Sequence, residues 1–180
     1  MCRHSFYMTN IYETTIIVKP DLANDQMKNL NTSIEQFFND NEVSIGYKED
    51  WGIKNLKFSI NKYTKGSFKF MRFNAKSEFP KKLDGFLKFN TDCLRFLITR
   101  SDDNLDQATP QINKDNWPMK KNLNISNEEL LKIDYKYTHL LKRFTNENGK
   151  IIPQRVTNLS RSIHTKITKA IKQARFLSLI

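Results

Sequence analysis

After Glu147 the chain has no acidic residue at all: Asp and Glu are absent from Asn148 to Ile180, while Lys150, Arg155, Arg161, Lys166, Lys169, Lys172 and Arg175 fall in that stretch. Charge of one sign costs self-repulsion unless a partner offsets it, so acidic polymers and anionic surfaces come ahead of neutral partners. The whole 180-residue chain leans the same way, with 30 Lys and Arg against 19 Asp and Glu and a formal net charge of +11. Other scarcities narrow the choice. Five glycines form neither a dinucleotide fingerprint nor a phosphate-binding loop. The two cysteines, Cys2 and Cys93, lie far apart and match no metal spacing, so both are read as free thiols, with neither a disulfide framework nor a zinc cluster. No run approaches the roughly 18 apolar residues needed to cross a bilayer, so a soluble protein with no membrane partner is expected. The opening MCRHSFYMTN lacks a basic start, apolar stretch and cleavage site, so export is not expected.

Charge divides the chain into three. Residues 1–100 carry 16 basic and 11 acidic side chains, 101–126 carry 3 and 4, and 127–180 carry 11 and 4. The middle segment mixes Asp, Asn, Gln and Pro without a sustained period and reads as a linker, in which Trp117 is either an anchor or incidentally exposed.

Ahead of the linker, YETTIIV at 12–18 is β-branched and aromatic and stops at Pro20, as a buried strand does. Leu22, Met27, Leu30, Ile34, Phe37 and Phe38 then recur at helical separations. Residues 42–60 alternate on either side of a break at Asp50, Trp51 and Gly52, which predicts one long strand with a bulge. A turn through Asn61 to Gly66 leads to an alternating strand, SFKFMRFNA, with Phe68 and Phe70 on one face. A second helix follows, with Ser77 as N-cap, Pro80 in its first turn and Phe79, Leu83, Phe86 and Leu87 on one side. CLRFLITR at 93–100 closes the set. The order βαββαβ predicts an α+β, ferredoxin-like domain with a four-stranded antiparallel sheet, which fixes a fold and leaves function open.

Particular residues say more than the pattern. YETTIIVKPDL at 12–22, KEDWGIKNLKFSINKYTKG at 48–66 and LRFLITR at 94–100 resemble the signature stretches of the bacterial-type small-subunit ribosomal protein six, from about Met8 to Arg100. Residues 133–180, with IDYKY, LLKRF, GKIIP and AIKQAR, resemble small-subunit ribosomal protein eighteen, with Gln154, Asn158 and Gln173 departing from its pattern. The resemblance implies a fusion: residues 8–100 as the first domain, 101–126 as linker and 127–180 as a small basic all-α domain. It also implies a structural role without catalysis, cofactor or small-molecule substrate. The two halves are expected to pair with each other and to dock on the central domain, or platform, of the small-subunit rRNA. Neighbouring small-subunit ribosomal proteins would lie alongside, on the ribosome of a bacterial cytoplasm or an organelle matrix.

In the last segment Ile163, Ile167, Ala170, Ile171, Ala174 and Leu177 recur at steps of three and four after an N-cap at Asn158 or Ser160. Arg161, Lys169 and Lys172 point elsewhere, with Lys166 and Arg175 nearer the edge. A partner helix over IDYKYTHLLKRF offers Ile133, Tyr137, Leu140, Leu141 and Phe144 to that stripe, and Gly149 is available for a left-handed turn between them. The expected RNA-binding set is Arg143, Lys150, Arg155, Arg161, His164, Lys166, Lys169, Lys172 and Arg175. A solvated helix face is the plain alternative, but such faces mix signs, whereas phosphate neutralisation explains a bias this complete. His164 is read as a hydrogen-bonding or stacking residue, since no second metal ligand lies at i+4. His139 has less support still, and His4 with Cys2 is an accident of composition.

KGSFKFMRF at 65–73 fails the register of an RNA-recognition motif, so Phe68 and Phe70 are expected in the core. Glu49 and Asp50 could serve as acid and base only if burial raised one of them, and no His, Ser or Cys completes such a site. Trp51, at the bend of the long strand, is expected to anchor the contact between the halves, against the reading that it covers its own sheet. The competing function is an RNA-binding regulator acting off the ribosome; an enzyme on the same fold comes third.

Overall fold

The computed structural model describes residues 10–101 and 133–180. The expected linker, apart from Ser101, lies outside the described residues, as do Trp117, Cys2, His4 and Met8. The chain divides into two compact units, Met1–Thr109 and Pro110–Ile180. Among the described residues no helix is long and apolar enough to cross a membrane.

The first unit runs β1 (Asn10–Val18), α1 (Asn24–Asp40), β2 (Ile45–Ile60), β3 (Tyr63–Ala75), α2 (Phe79–Phe89) and β4 (Cys93–Arg100). The four strands form one antiparallel sheet in the order β2-β3-β1-β4. Side chains alternate across a strand, and one face of the sheet meets both helices. Ile16, Val18, Met71, Phe73 and Ala75 pack there against Leu30, Ile34 and Phe38 of α1 and Phe79, Leu83 and Leu87 of α2. Phe73 meets Phe38 and Phe79 edge-on at centroid distances of 5.0 and 5.4 Å, a preferred aromatic geometry. α1 stops where Glu42 turns left-handed at φ 55°, while Val43 N–H donates back to the Phe38 carbonyl at 3.0 Å.

The opposite face pairs Glu13 with Arg72, Thr15 with Phe70 and Ile17 with Phe68 across β1 and β3, and all six are buried. Arg72 donates to Glu13 Oε1 from Nε at 3.0 Å and from Nη2 at 2.7 Å, and Ser101 Oγ donates to the same oxygen at 2.9 Å. Such a pair adds little net stability, yet removing one partner strands a buried charge at a cost of about 3–5 kcal/mol.

The bulge expected at Asp50 to Gly52 is present. The β2–β3 register shifts there, Gly52 has φ 69°, and its N–H donates to Asp50 Oδ1 at 2.8 Å. Three local expectations need correction. The hairpin turn is Asn61 and Lys62 alone, both left-handed, so Tyr63 to Gly66 belong to β3. The N-cap position of α2 is Glu78, while Ser77 Oγ accepts from Asn10 Nδ2 at 3.4 Å. The helix expected over 133–144 shrinks to α3 (Thr138–Lys142), because residues ahead of it close on themselves: Asp134 Oδ1 accepts from Tyr135 N–H at 2.7 Å, and Tyr137 N–H donates to the Asp134 carbonyl at 3.2 Å.

At Gly66 the backbone comes so close to β1 that a Cβ would stand 2.6 Å from Ile17 Cγ2. Because Ile17 is fully buried and cannot swing aside, Gly66→Ala should cost about 1–3 kcal/mol in chemical unfolding. A midpoint equal to that of the wild type would contradict this close approach.

Candidate nucleic-acid interface

The second unit continues from α3 through a tight turn and a short helix, α4 (Gln154–Thr157), to the long α5 (Arg161–Phe176). The turn is pinned at both ends. Asn146 Oδ1 accepts from Lys150 N–H at 2.6 Å, Thr145 bridges to Ile151, and Gly149 at φ 73° reverses the chain. Asn158, left-handed at φ 53°, ends α4, and Ser160 caps α5 by accepting from Ile163 N–H.

At about 100° per residue, the apolar side chains of α5 fall on one side. Ile167, Ala170, Ile171, Ala174 and Leu177 are buried, and Ile163 is half-buried. They share this unit's interior with Leu140, Leu141 and Phe144, each at most 3 % exposed. Burying one Ile or Leu contributes roughly 2 kcal/mol, so this stripe holds the helix and fixes its rotation.

That rotation decides where the cations go. Arg161, Lys169 and Lys172 lie within about an 80° arc opposite the stripe and are exposed, as is Lys166 on the flank. Arg155 and Lys150 are exposed as well. None of these six side chains has an ion pair among the described residues. The rest of the expected set differs. Arg175 is half-buried and its guanidinium donates to the Gly149 carbonyl, so it ties α5 to the turn. Arg143 is half-buried. His164 is half-buried, and its Nδ1 has no hydrogen-bond partner among the described residues. Lys142, on α3, is exposed as well and lies outside the expected set, since a five-residue helix carries too little periodicity to mark its charged side.

Trp51 stacks on its own sheet, with its ring 5.5 Å from Phe70 at an interplanar angle of 7°. Its Nε1–H donates to Glu49 Oε2 at 3.0 Å, and Lys54 Nζ sits 4.7 Å above the ring. Glu49 and Asp50 line a cavity of about 190 Å³ with Asn31, Glu35, Lys48 and Lys69. Its polar groups satisfy one another: Lys48 pairs with Glu35, Lys69 donates to Asn31, and Asp50 holds the bulge. Burial lowers the Lys69 ammonium from its ordinary value, with Asp50 opposing that shift. Burial likewise pushes the Cys93 thiol up to about 12, which leaves almost no thiolate at neutral pH. Among the described residues no cluster of three or more His, Cys, Asp or Glu could hold a metal ion.

The family model for Ribosomal protein S6 matches residues 11–100, half of the chain. The chain belongs to the ribosomal protein S6 family. The model for Ribosomal protein S18 matches residues 129–180, so an S6-type part is followed by an S18-type part in one polypeptide. The small ribosomal subunit protein bS6 of Geobacter metallireducens is 32% identical over 89 residues, covering 49% of this chain and 75% of that protein. The bS6 of Ruegeria pomeroyi is 28% identical over 104 residues, covering 58% and 89%. The crystal structure of 30S ribosomal protein S6 from Thermotoga maritima superposes with a TM-score of 0.50 at 19% identity, covering 52% of this chain and 89% of that one, and shows the shared fold. The chain is therefore a structural small-subunit ribosomal protein and not an enzyme.

The division of α5 is testable residue by residue. Ile171→Ala should destabilise the S18-type part by about 2–5 kcal/mol, whereas Lys172→Ala should stay within about 0.5 kcal/mol. Urea unfolding followed by helical circular dichroism reads both, and comparable losses for the two would contradict the assigned faces.

Proposed function

We propose that the S18-type part docks on the central domain, or platform, of the small-subunit rRNA, with the cationic side of α5 neutralising backbone phosphates. The observation that carries this reading is a set of exposed cations, Arg161, Lys166, Lys169 and Lys172, on a helix with no acid in or after it. Solvated helices place carboxylates four residues from lysines and gain by it; α5 forgoes that gain. Phosphate neutralisation releases counterions and recovers the cost. Such contacts position the protein, while preference for one RNA site comes from bases and RNA shape. Arg143, Lys150, Arg155, His164 and Arg175 belong to the same proposed surface, with Arg175 acting from a position it also braces.

In this proposal the two parts, residues 8–100 and 127–180, also pair with each other across a tether, 101–126. Trp51 supports the idea: on the sheet face away from α1 and α2 it stays half-buried above the fully buried Phe68 and Phe70, a large aromatic left partly open as an anchor for a partner would be. Trp51 is the proposed anchor of that pairing. A covalent tether would hold the partners at an effective concentration reaching the millimolar range. Neighbouring small-subunit proteins complete the surroundings, in the cytoplasm of a bacterium.

Reversing Lys166, Lys169 and Lys172 to Glu should leave the S6-type part folded and abolish co-sedimentation with small ribosomal subunits after a moderate-salt wash. Retention equal to that of the wild-type chain across a salt series would overturn the proposed surface. Binding confined to free messenger would instead favour a regulator acting off the ribosome.

A further inference from the structure

The β2–β3 hairpin continues past the sheet that contains it. β1 stops pairing with β3 at Val18 and Ser67, whereas β2 and β3 go on through Lys54 with Gly66 and Asn55 with Lys65 and, after a break in register, Ile60 with Tyr63. The result is a two-stranded arm over residues 54–66. It carries Lys57, Lys62 and Lys65, all exposed and without an ion pair among the described residues. No Asp or Glu occurs between Asp50 and Glu78. The carboxylates at the arm's base are engaged: Asp21 accepts from the arm's own Tyr63 Oη at 3.0 Å, and Asp92 pairs with Lys19 at 3.4 Å. On the arm's flank the Arg95 guanidinium lies 5.2 Å from the Phe58 ring, and Phe58 remains 41 % exposed.

The tip adds an independent observation. Asn61 and Lys62 have φ 48° and 72°, as the two central residues of a tight hairpin turn require. Asparagine tolerates that region, and glycine takes it without steric cost, but a lysine is strained there. Strain kept at an exposed tip points to a side chain that the position needs.

We propose that this arm is a second RNA-contact surface, on which Lys57, Lys62 and Lys65 bind backbone phosphates of the rRNA. The inference rests on the reading that the chain binds rRNA, but it uses residues of the S6-type part that the α5 surface does not include. Two anchors on one chain strengthen each other, because engagement of one raises the local concentration of the other. Lysines held on an extended ribbon also suit the backbone of a folded RNA better than a base-specific groove.

The test is the affinity of the full chain for a transcript of the central domain of small-subunit rRNA, measured from about 50 to 200 mM salt. The triple variant Lys57→Ala, Lys62→Gly, Lys65→Ala should bind at least tenfold more weakly at the low-salt end. Its plot of log affinity against log salt should be shallower by about 2 to 3. Lys62→Gly alone should raise the thermal midpoint while making the plot shallower by a little under 1, a pairing of signs that loss of folding cannot produce. Wild-type affinity and slope in the triple variant would overturn the arm and leave the α5 surface standing, provided that the α5 reversal loses binding in the same assay. A wild-type chain that fails to bind the transcript would overturn both.

Discussion

Everything in the C-terminal unit depends on the burial of one apolar stripe. Ile167, Ala170, Ile171, Ala174 and Leu177 cannot be withdrawn from water without turning Arg161, Lys169 and Lys172 outward, and the exposed positions beside them, such as Thr165 four residues before Lys169, carry no carboxylate. Packing energy therefore sets the direction of the charge. Ser160 at one end of the helix fixes where it starts, and Arg175 near the other ties it to the Gly149 carbonyl, so the turn and the helix hold a common frame. A helix so placed has a rigid cationic face before any partner arrives, and little ordering cost remains to be met on binding.

The two parts handle charge differently. In the S6-type part many ionic groups find partners within the fold: Glu13 with Arg72 in the interior, Lys19 with Asp92, Lys48 with Glu35 and Lys88 with Asp84 nearer the surface. The β2–β3 arm departs from that habit, and the S18-type part departs from it along most of α5. Surface pairs of this kind contribute little stability, with a median near 0–1 kcal/mol. Unmatched charge is concentrated where extended or helical backbone presents it in a row.

Much of this was legible in the sequence, for physical reasons that differ by element. Alternation and helical spacing gave the βαββαβ order because each element buries one face, and burial imposes a period. The bulge at Asp50 to Gly52 was readable because the alternation breaks there. The hairpin turn is shorter than the sequence implies because Lys62 takes a conformation usually signalled by glycine, so there is no Asn-Gly mark. α3 is shorter than its periodicity implies because Ile133 and Tyr137 keep helical spacing while Asp134 folds the backbone into turns instead. On α5 the separation of stripe and cations followed from period alone. The use of Arg175 by a carbonyl 26 positions away did not, since no local pattern encodes a contact of that range. The lysines of the arm have a readable signal in the absence of acid from Trp51 to Ser77, a shorter run than the acid-free one at the C-terminal end.

The central claim is that RNA phosphates, and not water, neutralise the outward face of α5. Lysine acylation read by mass spectrometry tests it most directly, comparing the free chain with the chain in purified small ribosomal subunits. The account predicts that Lys166, Lys169 and Lys172 react readily in the free chain and become protected in the particle, while the exposed Lys28 of α1 changes little. Equal reactivity of the three lysines in both states would contradict it.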